Sequence, residues 1–184
     1  MIRSRAARTA SFAAVVSLAG LMALPSPLAR ADDVVLPNTK AKLAVSSGWH
    51  VATPGAAGAG TSPGSLVVAY KSDRGALLAV TRAQVPNTAA WRAKTRDAYA
   101  DDIERGITDQ VPGYKRVSKK IAVVHDVPTL DLEARRRDGA SVVIRVLMFR
   151  TYALALAIEV PSGGDVADAR SIAAGFAPPA STQP

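Results

Sequence analysis

Residues 130–160 read LDLEARRRDGASVVIRVLMFRTYALALAIEV, and this stretch decides the fold. From Leu130 to Ala134 apolar and charged residues alternate, as they do in a strand that has one face in a core. The two following runs, residues 141–149 and 152–160, are apolar on both faces. Strands of that kind are covered on both sides. The stretch therefore predicts one half-buried strand followed by two central strands of a layered fold.

The turn between the first two strands contains Asp138-Gly139. A two-residue turn at these positions would place apolar residues opposite charged ones and so mix the two faces of the sheet. A three-residue loop that starts at Arg137, with Gly139 in the left-handed conformation, restores the match. We predict this second register because it pairs apolar with apolar side chains and opposite charges with each other. The pairs that define it are Leu132 with Ile144 and Asp131 with Arg145.

Outward from this stretch the sequence predicts further strands, two helices and several loops. The long helix carries a buried apolar stripe that includes Trp91, Tyr99, Ile103 and Ile107, and Asn87 is its predicted N-cap. In chain order we predict a flexible polar segment at residues 32–41, a strand from Lys42 that resumes at residues 49–51, a mobile loop at 53–64, a hairpin of strands 65–71 and 76–83, the long helix from Asn87 to about Thr108, a strand at 114–125, a break at Val127-Pro128, a helix at 165–175 and a disordered tail at 178–184.

Residues 1–31 have the composition of a secretory signal peptide. Arginines precede an apolar run that prolines end, and Ala29-Arg30-Ala31 supplies small residues for cleavage between Ala31 and Asp32. An uncleaved membrane anchor or a disordered tail is the alternative interpretation, but an apolar run of this length is short for a spanning helix. We therefore expect a secreted or periplasmic protein that is not stably inserted in a membrane after processing.

The composition limits the classes of function that the protein could have. Cleavage would remove four arginines and lower the formal net charge from +8 to +4, which leaves a mildly basic single domain at residues 42–177. The sequence contains no cysteine, which excludes disulfides, thiolate catalysis and cysteine-ligated metals. An amino-terminal lipid anchor on cysteine is excluded for the same reason.

The order of the elements and several short motifs resemble the PsbP-like superfamily over residues 40–177. The motifs are Gly48-Trp49, Val127-Pro128-Thr129-Leu130, Tyr152-Ala153-Leu154 and Ile172-Ala173-Ala174-Gly175-Phe176. The resemblance implies an α+β fold, an α/β/α sandwich around a central antiparallel sheet, with one long helix after the third strand and a carboxyl-terminal helix. The superfamily includes an extrinsic photosystem subunit and exported lipoproteins of the LpqN type, from which this chain departs by lacking the anchor cysteine. It implies binding or assembly rather than a shared reaction, although fold alone does not transfer function.

Catalytic, cofactor and metal signatures are weak. His50 and His125 each lie in a predicted strand region, and the one acid beside either of them, Asp126, would point to the opposite face from His125. One Gly-x-Ser-x-Gly match occurs, Gly60-Thr61-Ser62-Pro63-Gly64, but it lies in the predicted loop ahead of a strand and not between a strand and a helix as a nucleophile elbow does. No phosphate-binding glycine loop occurs in the sequence. Asp131 and Glu133 share a strand with arginines and so favour a charge-compensated surface. We predict no catalytic residues, no cofactor and no metal ligands.

Basic residues give the strongest candidate surface. If the strand and hairpin ends that carry them adjoin, they form a cationic edge suited to an anionic partner, and the alternative is a solubilising surface whose lysines discourage edge-to-edge aggregation. Nucleic acid is disfavoured because the chain is predicted to be exported and no aromatic side chains interleave the charges. The residues of this surface are Lys115, Arg116, Lys119, Lys120, Arg135, Arg136 and Arg137.

These observations predict an exported, monomeric, non-enzymatic binding or assembly module. Its partner would be a protein or an anionic component of the cell envelope. The alternative is an envelope hydrolase whose active site the sequence does not reveal. A cleft between the long helix and the loop at residues 53–64 would admit an apolar ligand.

Overall fold

A computed structural model describes residues 33–36, 39, 41–52, 66–85, 94–111 and 113–178. Two helices, α1 (Arg96–Gln110) and α2 (Val166–Gly175), accompany the strands. The strands, in chain order, are β1 (Asp33–Val35), β2 (Lys42–Ala44), β3 (Trp49–Val51), β4 (Leu66–Ser72), β5 (Leu77–Gln84), β6 (Lys115–Val124), β7 (Val127–Arg135), β8 (Ser141–Met148) and β9 (Tyr152–Val160).

Seven strands form one antiparallel sheet in the order β3-β4-β5-β9-β8-β7-β6, and β1 pairs with β2 separately. The predicted class, a mixed α+β fold with a large antiparallel sheet and two helices, is confirmed. The helix α1 follows β5, which is the third strand of the large sheet along the chain. No helix in the described ranges is both long and apolar enough to cross a membrane.

The central strands β8 and β9 divide their side chains between two buried clusters. Val142 and Ile144 join Ile103 and Ile107 of α1 in one cluster, which we call the α1 cluster. Val143 belongs instead to the α2 cluster, with the buried residues of α2. Because alternate residues of a strand point to opposite faces, the two clusters lie on opposite faces of the sheet. The alanines of β9 face α1 and its leucines face α2, as the two-sided apolar pattern predicts.

The predicted hairpin register is confirmed. Leu132 pairs with Ile144 and Asp131 pairs with Arg145. The loop is closed by a hydrogen bond from the Arg136 amide to the Ala140 carbonyl, and Gly139 has a φ of 85°. Glycine adopts the left-handed conformation most easily because it has no Cβ. Gly139 alone therefore indicated the register of this hairpin in the sequence.

The prediction of a flexible segment at 32–41 is wrong for the described residues in it. Asp33–Val35 is a strand paired with β2, and Leu36 and Ala41 are buried in the α2 cluster. Lys42 also exchanges backbone hydrogen bonds with Ala177. The polar residues of this segment concealed the few apolar side chains that fix it to the core.

Two predicted boundaries are also wrong. The prediction of one continuous helix from Asn87 is wrong at residues 94 and 95, which are not helical, and the described helix begins after Thr95, whose hydroxyl accepts a hydrogen bond from the Ala98 amide at 3.2 Å. The break predicted at Val127-Pro128 lies inside β7, and the turn is formed by His125 and Asp126 instead. Four predictions lie outside the described residues: the signal peptide, a loop at 53–64, a helical conformation for residues 87–93 and a disordered tail beyond 178.

Candidate functional site

The strand β6 forms one edge of the large sheet and is ten residues long, whereas β3 at the other edge has three. Two residues, His125 and Asp126, connect β6 to β7, and their φ values are 46° and 63°. Positive φ at both central residues is the signature of a type I′ turn, which matches the twist of the strands that it joins. β6 is therefore held to the sheet by a tight hairpin with β7.

This hairpin brings the predicted basic residues together. Lys115 lies directly opposite Arg135, and Arg116 lies opposite Ala134. The chain enters β6 close to Arg137, since a Cβ placed on Gly113 would be 2.7 Å from the Cβ of Arg137. The condition under which the sequence predicts a cationic edge, that the two ends adjoin, is thus met for the described residues.

Two of the seven cations are neutralised by α1. Glu104 accepts hydrogen bonds from Arg116 at 3.0 Å and from Lys119 at 2.8 Å, and Lys119 also bonds Asp101. The hydroxyl of Tyr114 lies 3.4 Å from the same Glu104 carboxylate. These contacts fix the amino-terminal half of β6 to the helix that covers this face.

The pKa values of these groups follow from burial and from their partners. Burial opposes ionisation of Glu104, but the hydrogen bond and charge of Lys119 and the charge of Arg116 outweigh it and lower the pKa. Burial likewise opposes the charge of Lys119, yet the hydrogen bonds to Asp101 and Glu104 raise its pKa. Burial, followed by the Glu104 charge, raises the pKa of Tyr114 to about 12. The carboxylates and Lys119 are therefore held in their charged forms at neutral pH.

A third cation, Arg136, is compensated within the sheet. Its guanidinium lies 2.6 Å from Glu159 and 3.2 Å from Asp138. Reversing its charge would disturb these two contacts, so Arg136 is a poor probe of partner binding. The sequence could not show this, because Glu159 is far along the chain and becomes a neighbour through β8 and β9.

The other four cations are exposed and have no carboxylate within 4.0 Å in the described part of the chain. Lys120 lies opposite Asp131, but Arg145 takes both oxygens of Asp131 at 2.6 and 2.9 Å. Glu133, the other nearby acid, is taken by Arg170 of α2 at 2.8 Å. We call the four residues the open cations. They are Lys115, Lys120, Arg135 and Arg137.

Among the described residues, neither histidine forms a hydrogen bond with a serine. His50 Nε2 lies 2.8 Å from Asp73 Oδ1 at the turn between β4 and β5. His125, predicted in a strand, is instead a turn residue whose Nδ1 lies 3.4 Å from the Pro178 carbonyl. Within the described ranges no three histidine, aspartate or glutamate side chains are grouped so that they could hold a metal ion.

A cavity of about 380 Å³ lies between the start of β3 and the amino-terminal end of α2. On its wall the Asp168 carboxylate accepts hydrogen bonds from Ser46 Oγ at 2.9 Å and from Trp49 Nε1 at 3.1 Å. Trp49 is buried, and its bond to Asp168 joins positions 119 residues apart. The Gly48-Trp49 motif marks this position in the sequence, but nothing in it indicates that Asp168 is the partner of Trp49.

A second cavity, of about 460 Å³, lies beside the amino-terminal end of α1. Tyr99, Met148 and Phe149 provide much of its apolar lining, and Arg96 and Arg150 are among the cations that line it. Burial raises the pKa of Tyr99. The apolar cleft predicted between the long helix and residues 53–64 depends on a loop outside the described residues, so this cavity does not test it.

Comparison with known proteins identifies the fold. The chain is similar to the solution structure of cyanobacterial PsbP (CyanoP) from Synechocystis sp. PCC 6803, with a TM-score of 0.53 and 15% sequence identity. The match covers 75% of this chain and 86% of that chain. No family model and no curated protein matches the sequence. At this level of identity the likeness shows a PsbP-like fold and leaves function to the residues themselves.

Proposed function

We propose that this protein is an exported, non-enzymatic binding or assembly module that recognises an anionic partner of the cell envelope through the open cations. The observation that carries the proposal is the difference within the basic cluster. Three cations are neutralised by carboxylates of the fold, whereas Lys115, Lys120, Arg135 and Arg137 are exposed and form no ion pair within 4.0 Å among the described residues. Exposed charges of one sign attract a partner of the other sign.

The architecture supports such a role. We infer that the domain is an α/β/α sandwich, since each helix belongs to a buried cluster on its own face of the sheet. In that arrangement the edge strand β6 is left accessible at the side, where the open cations lie. Export rests on the signal-peptide pattern of residues 1–31 with cleavage between Ala31 and Asp32, and amino-terminal sequencing of the exported protein tests it.

Binding to anionic probes tests the open cations. The purified protein is titrated with vesicles that contain phosphatidylglycerol, with heparin and with polyglutamate, and at least one probe is expected to bind. The double variant Arg135→Glu with Arg137→Glu is expected to bind that probe at least about tenfold more weakly at low ionic strength, because two attractive contacts become repulsive. Both side chains are exposed, so the thermal unfolding midpoint should change little.

A variant of equal charge serves as the control. Lys71→Glu with Arg74→Glu changes the net charge by the same amount at solvent-accessible positions in β4 and in the turn that follows it, and four strands separate β4 from β6 in the sheet order. This control is expected to keep most of the affinity. Equal losses in the two double variants would show that net charge alone governs binding, and the proposed site would be wrong.

A further inference from the structure

The outer edge of β6 has no strand partner among the described residues. β6 pairs with β7 on one side and ends the strand order there. Val117 and Val123 on this strand are 53% and 52% exposed, so the described residues leave about half of each side chain uncovered. A long exposed edge is a template to which an extended chain can add as a further strand.

The type I′ turn determines which backbone groups of β6 point outward. In a two-residue hairpin the residues that flank the turn, Val124 and Val127, form a hydrogen-bonded pair, and such pairs then recur at every second residue. The residues between them, including Val123, Ile121 and Lys119, direct their amide and carbonyl groups away from β7. Pro128 lies opposite Val123, and its missing amide is tolerated there because that position donates nothing to β6.

The two faces of β6 are complementary to different side chains of an added strand. Lys119 and Arg116 lie on the α1 face and are already neutralised, and the same face continues with the partly buried Ile121. Lys115 and Lys120 lie on the opposite face and are open. Side chains of neighbouring strands meet on the same face. A fitting strand therefore alternates apolar residues toward the α1 face with acidic residues toward the open cations.

A second copy of this chain fits poorly. Opposed residues of an antiparallel pair direct their backbone groups alike, so the registers nearest to full pairing of two β6 strands place either Lys119 opposite Lys119 or Lys120 opposite Lys120 of the other copy. Like charges directly opposite each other destabilise a sheet. The lysines of β6 thus disfavour self-association while leaving the edge available to an acidic chain.

We propose that an extended acidic segment of a partner polypeptide, with acidic and apolar residues in alternation, adds to the outer edge of β6 as an eighth strand. This inference rests on the proposed function, since it uses the same open cations, and it names the partner as a protein segment rather than a lipid or glycan. Backbone hydrogen bonds to β6 hold the segment, and its carboxylates meet Lys115 and Lys120.

Alternate N-methylation of a peptide probe tests strand addition without altering the protein. The probe is a ten-residue peptide of alternating glutamate and valine, blocked at both ends. One version carries N-methyl groups on every valine and another on every glutamate. An added strand directs the amides of only one residue type toward β6. One methylated peptide should therefore bind like the parent and the other at least about tenfold more weakly, and equal binding of the two would overturn the inference.

A change on the protein side gives a second measurement. Val123→Pro removes an outward amide, which an edge strand tolerates, and Val123→Thr keeps it. The proline variant is expected to bind the parent peptide at least about fivefold more weakly than the threonine variant, with thermal unfolding showing that both are folded. Equal affinities in two folded variants would contradict strand addition. If the proline variant does not fold, the methylated peptides decide the question alone.

The two proposals fail separately in these experiments. If Arg135→Glu with Arg137→Glu weakens binding of an anionic probe while both methylated peptides behave alike, the charged surface stands and strand addition is wrong. If the arginine variant and its charge-matched control lose the same affinity for every probe, the proposed function is wrong, whatever the methylated peptides show.

Discussion

The two helices meet the sheet through different polar chemistry, and the difference explains which cations remain available. Polar side chains of α1 reach the edge strand, where Glu104 and Asp101 bond Arg116 and Lys119. On α2 the side chain of Asp168 instead holds the buried Trp49. The helix α1 therefore neutralises the cations on its own face of β6, while those on the other face stay open.

The same comparison separates fixed from adjustable parts of the molecule. Besides the exposed ion pair of Arg170 with Glu133, α2 is held by buried groups, including Phe176, which caps the helix and is fully buried. The ion pairs of α1 join exposed groups to partly buried ones, since the side chains of Arg116 and Asp101 are 54% and 62% exposed and those of Lys119 and Glu104 are 17% and 14% exposed. Buried contacts contribute most to stability and exposed ion pairs contribute little. Substitutions on the α2 side should therefore affect folding, and substitutions in the ion pairs of α1 should affect binding.

The largest expected effect is that of Phe176→Ala. Removing a fully buried aromatic side chain from the α2 cluster should lower the free energy of unfolding by about 3 to 5 kcal/mol. Urea denaturation with linear extrapolation measures it. Val123→Ala, at a position that is half exposed, should change the same quantity by less than about 0.5 kcal/mol. A loss for Phe176→Ala no larger than that of this control would show that α2 is not held by the core.

Asp168→Ala should have an intermediate effect. The substitution removes the acceptor of both Ser46 and the buried Trp49 indole, and a buried donor without an acceptor costs about 1 to 3 kcal/mol. The near-ultraviolet circular dichroism of the tryptophan should change together with the unfolding free energy. Asp97→Ala, in the first turn of α1 and 76% exposed, is the control, and an equal loss there would show that the Trp49 contact contributes nothing.

The parts of the fold that could be predicted are those with a local signal. The alternation in residues 130–160 and the single glycine at Gly139 were sufficient for the register of β7 and β8, because side-chain period and turn geometry are properties of neighbouring residues. Thr95 and Asn87 are both residues that cap helices. The pattern contained no feature that chose between them.

The parts that could not be predicted depend on residues that are distant in the chain. In the sequence, Arg116 and Lys119 look like the other basic residues near them, and only the packing of α1 shows that Glu104 lies beside both. The sequence predicts a break at Pro128, whereas at its position in β7 the missing amide has no donor role toward β6. The difference between a basic cluster and four open cations is therefore a property of the packed sheet, and no local pattern contains it.

The smallest expected effect on stability, that of Glu104→Gln, tests the comparison most directly. The pKa of Glu104 is lowered in the folded protein, so its contribution is present above its unfolded pKa of about 4.3 and is lost as the pH falls through the folded value. At pH 7 the variant should be less stable by at most about 1 kcal/mol. This difference should vanish at low pH, where Glu104 is protonated and as neutral as glutamine.

The same substitution should strengthen binding. Without the Glu104 charge, Arg116 and Lys119 are less neutralised and add to the attraction of the open cations, so an anionic probe should bind about two- to fivefold more tightly. Asp97→Asn changes the charge of α1 by the same amount and should leave the affinity nearly constant, because Asp97 bonds neither Arg116 nor Lys119. An increase of equal size in both variants would mean that the helix does not select which cations of β6 are available, since overall charge would then account for the whole effect.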